Sequence, residues 1–472
     1  MLDADAAAAH VRSTWTDEII PLLTEYVRIP ALSPDFDPDW SANGHLDAAA
    51  DLLSGWAADR DIGGAVVEVH RPEGLTPLIT VDIPAHGSGS AGDTVLLYGH
   101  LDKQPPMEGW SDGRGPWEPV REGERLYGRG VADDGYALPA SLVAIEAVRG
   151  AGGDHARCLV VVEASEESGS PDLPAHLVGL GDAVGTPSLV IGLDSGMGDW
   201  EHFWTTTSLR GLVLATVEVE VLTEGVHSGT AGGVVPSSFD VLRVLLDRVS
   251  NPMTGEVMLP SVGVTIPPER IAQAAEIAGV LGDVAAEYPF AGTTRSLSGH
   301  GEQALLARSW KAALEVTGLD GAPPPSHAGN VLRPRTVAKL SLRVPPALDA
   351  RAVADELIET LTSDPPHGAR ITCSSDTAES GWAAPPTAPW LLSALDAAGH
   401  AAFDSAPLGH GEGGTIPFMG MLGARFPEAQ FVITGVLGPG SNAHGPNEFL
   451  HIPSGERITI ATAHLLDGHA NR

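Results

Sequence analysis

Basic residues are scarce in this chain. Its 472 residues hold 27 Lys and Arg against 61 Asp and Glu, a formal charge of −34. No basic stripe is visible, so the electrostatic footprint of a nucleic-acid binder is missing. The acidic excess also disfavours an anionic membrane surface, and it favours solubility. Cysteine is scarcer still. Cys158 and Cys373 lie far apart and form no CxxC pair, which excludes a disulfide framework and a cysteine-based zinc site. No stretch is long and apolar enough to span a bilayer, and the start, MLDADAAAAHVRSTW, has no basic segment followed by an apolar one. The expectation is a cytoplasmic protein with neither nucleic-acid nor membrane partners. Fixed-period repeats are absent, and the alanine-rich start is the one biased tract.

What is present suits a folded core. Hydrophobic residues make up 43%, normal for a globular protein, and at roughly 150 residues per domain the length allows two or three domains. Gly 56 and Pro 38 predict many turns. The N-terminal part alternates short apolar runs with helical patterns. AVVEVH (65–70), LITVDI (78–83), TVLLYGH (94–100), RCLVVVEA (157–164) and SLVIGL (188–193) read as strands, and GYALPASLVAIEAV (135–148) as a helix. The last two strands are apolar on both faces, as in a buried sheet with helices on each side, an α/β architecture.

The pattern changes after Arg210. LVLATVEVEVL (212–222) and AKLSLRV (338–344) alternate strictly, as half-exposed strands do. Helices are predicted near 237–249, 268–279, 302–316 and 349–362. The Pro-rich AAPPTAPW (383–390) reads as a return linker, after which QFVITGV (430–436) restores the buried-strand pattern and a last helix runs near 454–467. The expected organisation is an inserted α+β domain, 208–384, within a discontinuous main domain of 1–207 and 385–472.

The residues that carry chemistry sit at or just past strand ends, the edge where α/β sheets bind ligands. LLYGHLD ends a strand with His100 and Asp102. The imidazole can bind metal through one nitrogen while Asp102 fixes the other, although H-x-D alone reads equally as a surface ion pair. GRGVADDGY places Asp133 and Asp134 before a helix; one Asp is an ordinary N-cap, and two are more than a cap requires. VVVEASEESGS sets Glu166 and Glu167 directly after an apolar strand. Adjacent buried carboxylates repel unless a cation or proton intervenes, and a metal ligand beside a general base is a natural division of labour. VIGLDSG repeats the pattern with Asp194, and PGSNAHGPNEF puts His444 in a loop after QFVITGV. Two imidazoles and three carboxylates suit a pair of borderline cations, zinc first, with manganese or cobalt as alternatives. In GEGGTIPFMG, Thr415 stands where it could cap a short helix whose free N–H groups cradle a carboxylate. Arg343, on the alternating strand, could clamp that carboxylate.

YGHLDKQPP, YGRGVADDG, EASEESGS, GLDSG, GVHSGTAGG, GEGGTIPF and SNAHGPNE, in this order, resemble the M20 metallopeptidase family, and most of all its carnosinase-like dipeptidase branch. The resemblance implies a zinc-aminopeptidase-like catalytic domain with a mixed sheet flanked by helices, and an inserted α+β lid that also makes a homodimer. It implies two divalent ions per subunit, one held by His100 and Asp194, the other by Glu167 and His444, with Asp133 bridging and joined to Asp134 by a cis peptide. Asp102 would orient His100, and Glu166 would be the general base. His227 would reach the neighbouring subunit's site to stabilise the oxyanion. Asn330 and Arg343 match lid positions that contact substrate, and Glu412, Gly414 and Thr415 match the main-domain substrate loop. The pattern departs from the branch where Gly411 replaces Arg, where Thr415 replaces Ser, and where ESGW (379–382) stands in place of a histidine. The implied reaction is hydrolysis of dipeptides or similar small amino-acid amides by a metal-activated water. An N-acyl-amino-acid or specialised amide hydrolase on the same scaffold is the enzymatic alternative, and a non-catalytic metal-binding protein is the alternative of another class.

Overall fold

The computed structural model describes residues 2–87 and 92–472. The chain divides into two compact units, one of residues 1–206, 384–409 and 421–472, the other of residues 207–383 and 410–420.

The first unit is built on a mixed sheet. Strands run in the spatial order Val66–His70, Leu78–Ile83, Arg157–Glu163, Thr94–His100, Pro187–Gly192 and Gln430–Ile433. The last four are mutually parallel, in registers that set His100 beside Glu163, Tyr98 beside Gly192, and Ile433 beside Gly192. Every residue of Thr94–His100 is buried, because helices cover both faces of a parallel sheet and leave no polar side. The helix Ala137–Gly150 is accordingly apolar nearly all round, as is the closing helix Ile452–Ala470 on most of its faces. The four parallel strands therefore end along one edge, and His100, Glu166, Glu167 and Asp194 lie there or just beyond.

The second unit is an antiparallel sheet of four strands, in the order Ala313–Asp320, Arg335–Val344, Gly211–Glu220 and Arg370–Glu379. Gly211–Glu220 alternates strictly between buried and half-buried positions. Its buried face, Val213, Ala215, Val217 and Val219, packs with Leu242 and Leu245 of the helix Ser238–Val249 and with Val353 and Leu357 of the helix Ala350–Thr362. One face is covered and the other is not, as the alternation predicts.

One element differs from expectation. The helix expected over 302–316 ends at Ser309, and Ala313–Asp320 is instead an edge strand paired with Arg335–Val344. Trp310 leaves helical geometry at φ −127°, and the ALEVTGLD that follows holds the β-branched Val316 and Thr317, which favour an extended edge, and Gly318, which disfavours a helix. The segment 410–420 clusters with the second unit.

Candidate metal centre

His100 closes its strand at 1% exposure. Its Nδ1 faces the backbone carbonyl of Asp102 at 3.1 Å, with the Asp102 carboxylate at 3.5 Å. Donating Nδ1–H to that carbonyl leaves the Nε2 lone pair for a ligand. Nε2 lies 3.2 Å from Asp133 Oδ1 and 3.8 Å from Asp194 Oδ2. The Asp102 carboxylate has further work: its two oxygens accept the backbone N–H groups of Glu166 and Glu167 at 3.1 and 3.0 Å. One residue thus orients the imidazole and fixes the turn that carries both glutamates.

Asp133 stands between two groups. His444 Nε2 lies 3.0 Å from Asp133 Oδ2 and 3.3 Å from Glu167 Oε2. Two clusters result, His100–Asp133–Asp194 and Asp133–Glu167–His444, with the ligand atoms of each within 4.8 Å of one another and Asp133 common to both. The Asp133–Asp134 peptide is cis, and Asp134 Oδ2 accepts the His100 backbone N–H at 3.3 Å. His444 has a left-handed backbone, φ 63°, uncommon for a residue with a side chain and typical of residues aimed at a site.

The electrostatics call for cations. The carboxylates of Asp102, Asp133, Asp134, Glu166, Glu167 and Asp194 share this edge with the imidazoles of His100 and His444. Burial raises the pKa of Glu166, and the nearby Asp194 raises it further. Burial does the same to Glu167, with Asp133 and Glu166 adding to it, and to Asp134, with Asp194 adding. Burial also acts to raise Asp133, but hydrogen bonds from His100 and His444 outweigh it and hold that carboxyl below the usual range. Among the described residues, Glu167 Oε1 and Asp134 Oδ1 are buried without a hydrogen-bond partner. Orphaned acceptors and mutually repelling carboxylates fit a pair of divalent ions, whose charge inverts these shifts.

A brace the sequence reading missed ties the two loops together. Arg129 Nη1 meets Glu448 Oε2 at 2.7 Å, with both side chains at or below 1% exposure. Glu448 also accepts Gly130 N–H at 3.0 Å and Ala132 N–H at 3.2 Å, while Arg129 Nη2 donates to the Gly445 carbonyl at 2.9 Å. The loop of Asp133 is thereby joined to the loop of His444. Gln104, also unread, donates to Glu167 Oε2 at 2.6 Å. Arg129 and Glu448 stand inside quoted motifs, but only their buried pairing shows what they do.

The remaining expected residues lie in the second unit. Arg343 Nη1 donates to Thr415 Oγ1 at 3.3 Å. The Thr415 hydroxyl in turn donates to the Arg210 carbonyl at 2.6 Å, and the helix it was expected to cap begins later, at Pro417. Gly414 is exposed, and a Cβ there would meet no atom within 4 Å. Glu412 lies 3.4 Å from His410 Nε2. His227 and Asn330 come together on a two-stranded ribbon: His227 pairs with Val331, and Ser228 N–H donates to the Asn330 carbonyl at 3.0 Å. His227 Nδ1 accepts Gly229 N–H at 3.1 Å, so Nε2 is the ring nitrogen left for outside work.

The chain has relatives of known identity. A cysteinylglycine-S-conjugate dipeptidase of Corynebacterium striatum is 27% identical over 390 residues, 79% of this chain and 80% of its own. A beta-Ala-His dipeptidase of Homo sapiens is 25% identical over 364 residues, 73% of this chain and 69% of its own. The crystal structure of human carnosine dipeptidase 1 shares the fold, with a TM-score of 0.74 at 22% identity over 99% of both chains. The model of peptidase family M20/M25/M40 matches residues 96–467, the span that holds both ligand clusters, and the chain belongs to that family.

Proposed function

We propose that this protein hydrolyses the peptide bond of dipeptides with two divalent metal ions, zinc in the first instance, held by His100, Asp133, Glu167, Asp194 and His444. One observation carries the reading: two ligand clusters share Asp133, while Glu166, beside Glu167 on the same turn, belongs to neither. Two cations at such a site lower the pKa of a water and polarise a carbonyl. Glu166 takes the proton from the attacking water and passes it to the leaving amine. Asp102 keeps that carboxylate in position by holding its backbone N–H. The substrate carboxylate is assigned to Arg343 with Gly414 and Thr415, and further substrate contacts to Asn330 and Glu412. His227 of the partner subunit donates to the oxyanion, which makes the inserted unit both lid and dimer interface. Two free thiols, Cys158 and Cys373, favour a reducing cytoplasmic setting.

One feature favours the second reading, an N-acyl-amino-acid or related amide hydrolase. At Gly411, where the dipeptidase branch carries Arg, a Cβ would lie 2.6 Å from Ser208 Oγ and 2.9 Å from Ser309 Cβ. No larger side chain fits, so substrate recognition at that point is not the branch's own. A panel of free dipeptides against their N-acetyl forms, run with zinc, manganese and cobalt, separates the readings. A dipeptidase needs the free amine; faster turnover of the acylated forms would replace the first reading by the second.

A further inference from the structure

The second unit contains a cavity of about 1230 Å³ lined by its own residues, larger than the roughly 300–1,000 Å³ that holds a drug-sized ligand. Its walls include Met258, Leu259, Val262, Phe290 and Trp310. Arg210, which links the strands Trp204–Leu209 and Gly211–Glu220, also lines it.

Arg210 is only 8% exposed. Its Nε donates to the Gly413 carbonyl at 3.3 Å and its Nη1 to the Lys311 carbonyl at 3.1 Å. Among the described residues no carboxylate oxygen lies within 4 Å of it, and the hydrogen bonds it makes come from Nε and Nη1, not Nη2. Burial, reinforced by Arg343 and Arg308, lowers its pKa to about 10. A buried guanidinium answered only by carbonyl dipoles is costly. In a chain with 61 acidic side chains, acids to pair with it are plentiful, yet none is placed here. Arg308, which also lines the cavity, has its own carboxylate, Glu287, at 3.9 Å.

We propose that this cavity is a binding site for a small amphipathic carboxylate, its apolar body against Leu259, Val262 and Trp310 and its carboxylate on Arg210. The proposal concerns the second unit alone and does not depend on the reaction assigned to the metal centre. A carboxylate supplies the charge-assisted hydrogen bonds that Nη2 lacks, and the apolar walls select against small hydrophilic anions.

Calorimetric titration of the full-length protein tests this with octanoate and 1-octanol as probes. Octanoate is expected to bind at one site per chain, at least tenfold tighter than 1-octanol. Arg210→Gln should weaken octanoate about 10- to 100-fold, as loss of a charge-assisted bond does, with 1-octanol little changed. Ala307→Trp, which fills the cavity from its lining, should abolish binding of both. Thermal unfolding checks each variant, and if Arg210→Gln does not fold, Ala307→Trp and the comparison of the two probes on the wild type decide. No octanoate binding, equal affinity for the alcohol, or octanoate affinity that survives Ala307→Trp would overturn the site. Carboxylate capture by the metals would survive both substitutions and so counts against it.

Discussion

Replacing Glu448 by Ala removes the brace between the Asp133 and His444 loops. Three hydrogen bonds go with it, from Arg129, Gly130 and Ala132. The larger effect is on what stays behind: a guanidinium 1% exposed, now without its carboxylate. Removing one partner of a buried pair costs roughly 3–5 kcal/mol. Arg129 keeps the carbonyls of Pro105 at 3.1 Å and Gly445 at 2.9 Å, so a loss near the lower end, about 3 kcal/mol, is expected. Domains of ordinary stability, about 5–15 kcal/mol, survive that loss folded. Urea unfolding of the metal-free protein measures it apart from any metal contribution, and titration against a competing chelator measures metal affinity. The double variant Arg129→Met, Glu448→Ala should regain stability, because no buried charge is left, but not metal affinity, because the loops remain untied. A loss under about 1 kcal/mol, or a double variant no more stable than the single one, would refute this reasoning.

Other consequences can be checked separately. Arg343→Ala should raise KM for substrates with a free terminal carboxylate by about 10-fold or more, the equivalent of roughly 1.5–3 kcal/mol for a charge-assisted bond, and leave their amides nearly unaffected; equal effects would take Arg343 out of the carboxylate site. His227→Ala and Glu166→Ala should each be nearly inactive, yet mixing them under subunit exchange should restore up to roughly a quarter of wild-type activity if sites are shared across a two-fold interface; proven exchange without recovery would exclude sharing. His155 is fully buried, its Nε2 has no partner among the described residues, and burial lowers its pKa from 6.5 to about 4. The unfolded chain takes up that proton first as pH falls, so the neutral ring's contribution is complete above pH 6.5 and is lost between 6.5 and 4, by at most about 3 kcal/mol. Urea midpoints across that window should fall more steeply for the wild type than for His155→Gln, and parallel slopes would show that His155 does not carry the effect.

The candidate ligand clusters could be read from the sequence because most of their residues stand at strand ends. Each of Thr94–His100, Arg157–Glu163 and Pro187–Gly192 is an apolar run that ends beside a carboxylate or imidazole, and parallel strands bring such ends to one edge. The strand Arg370–Glu379 went unread because RITCSSDTAE offers few apolar residues to mark a period. The helix drawn through 302–316 failed because LLARSW and ALEV are both apolar, and periodicity does not locate the break at Trp310. Pairings across long separations were out of reach on other grounds. Arg129 and Glu448 lie 319 residues apart, and nothing local in either segment points to the other. The same holds for Asp102, whose carboxylate was assigned to the neighbouring imidazole alone and also holds the backbone of Glu166 and Glu167.

The division of labour between those two adjacent glutamates is the centre of the account. Glu166→Gln and Glu167→Ala can be compared by counting metal ions per chain and measuring kcat on the same preparations. The account predicts two ions and a kcat lowered by roughly 10²–10⁴-fold for Glu166→Gln, and loss of at least one ion for Glu167→Ala. Loss of metal from Glu166→Gln, with full occupancy in Glu167→Ala, would contradict it.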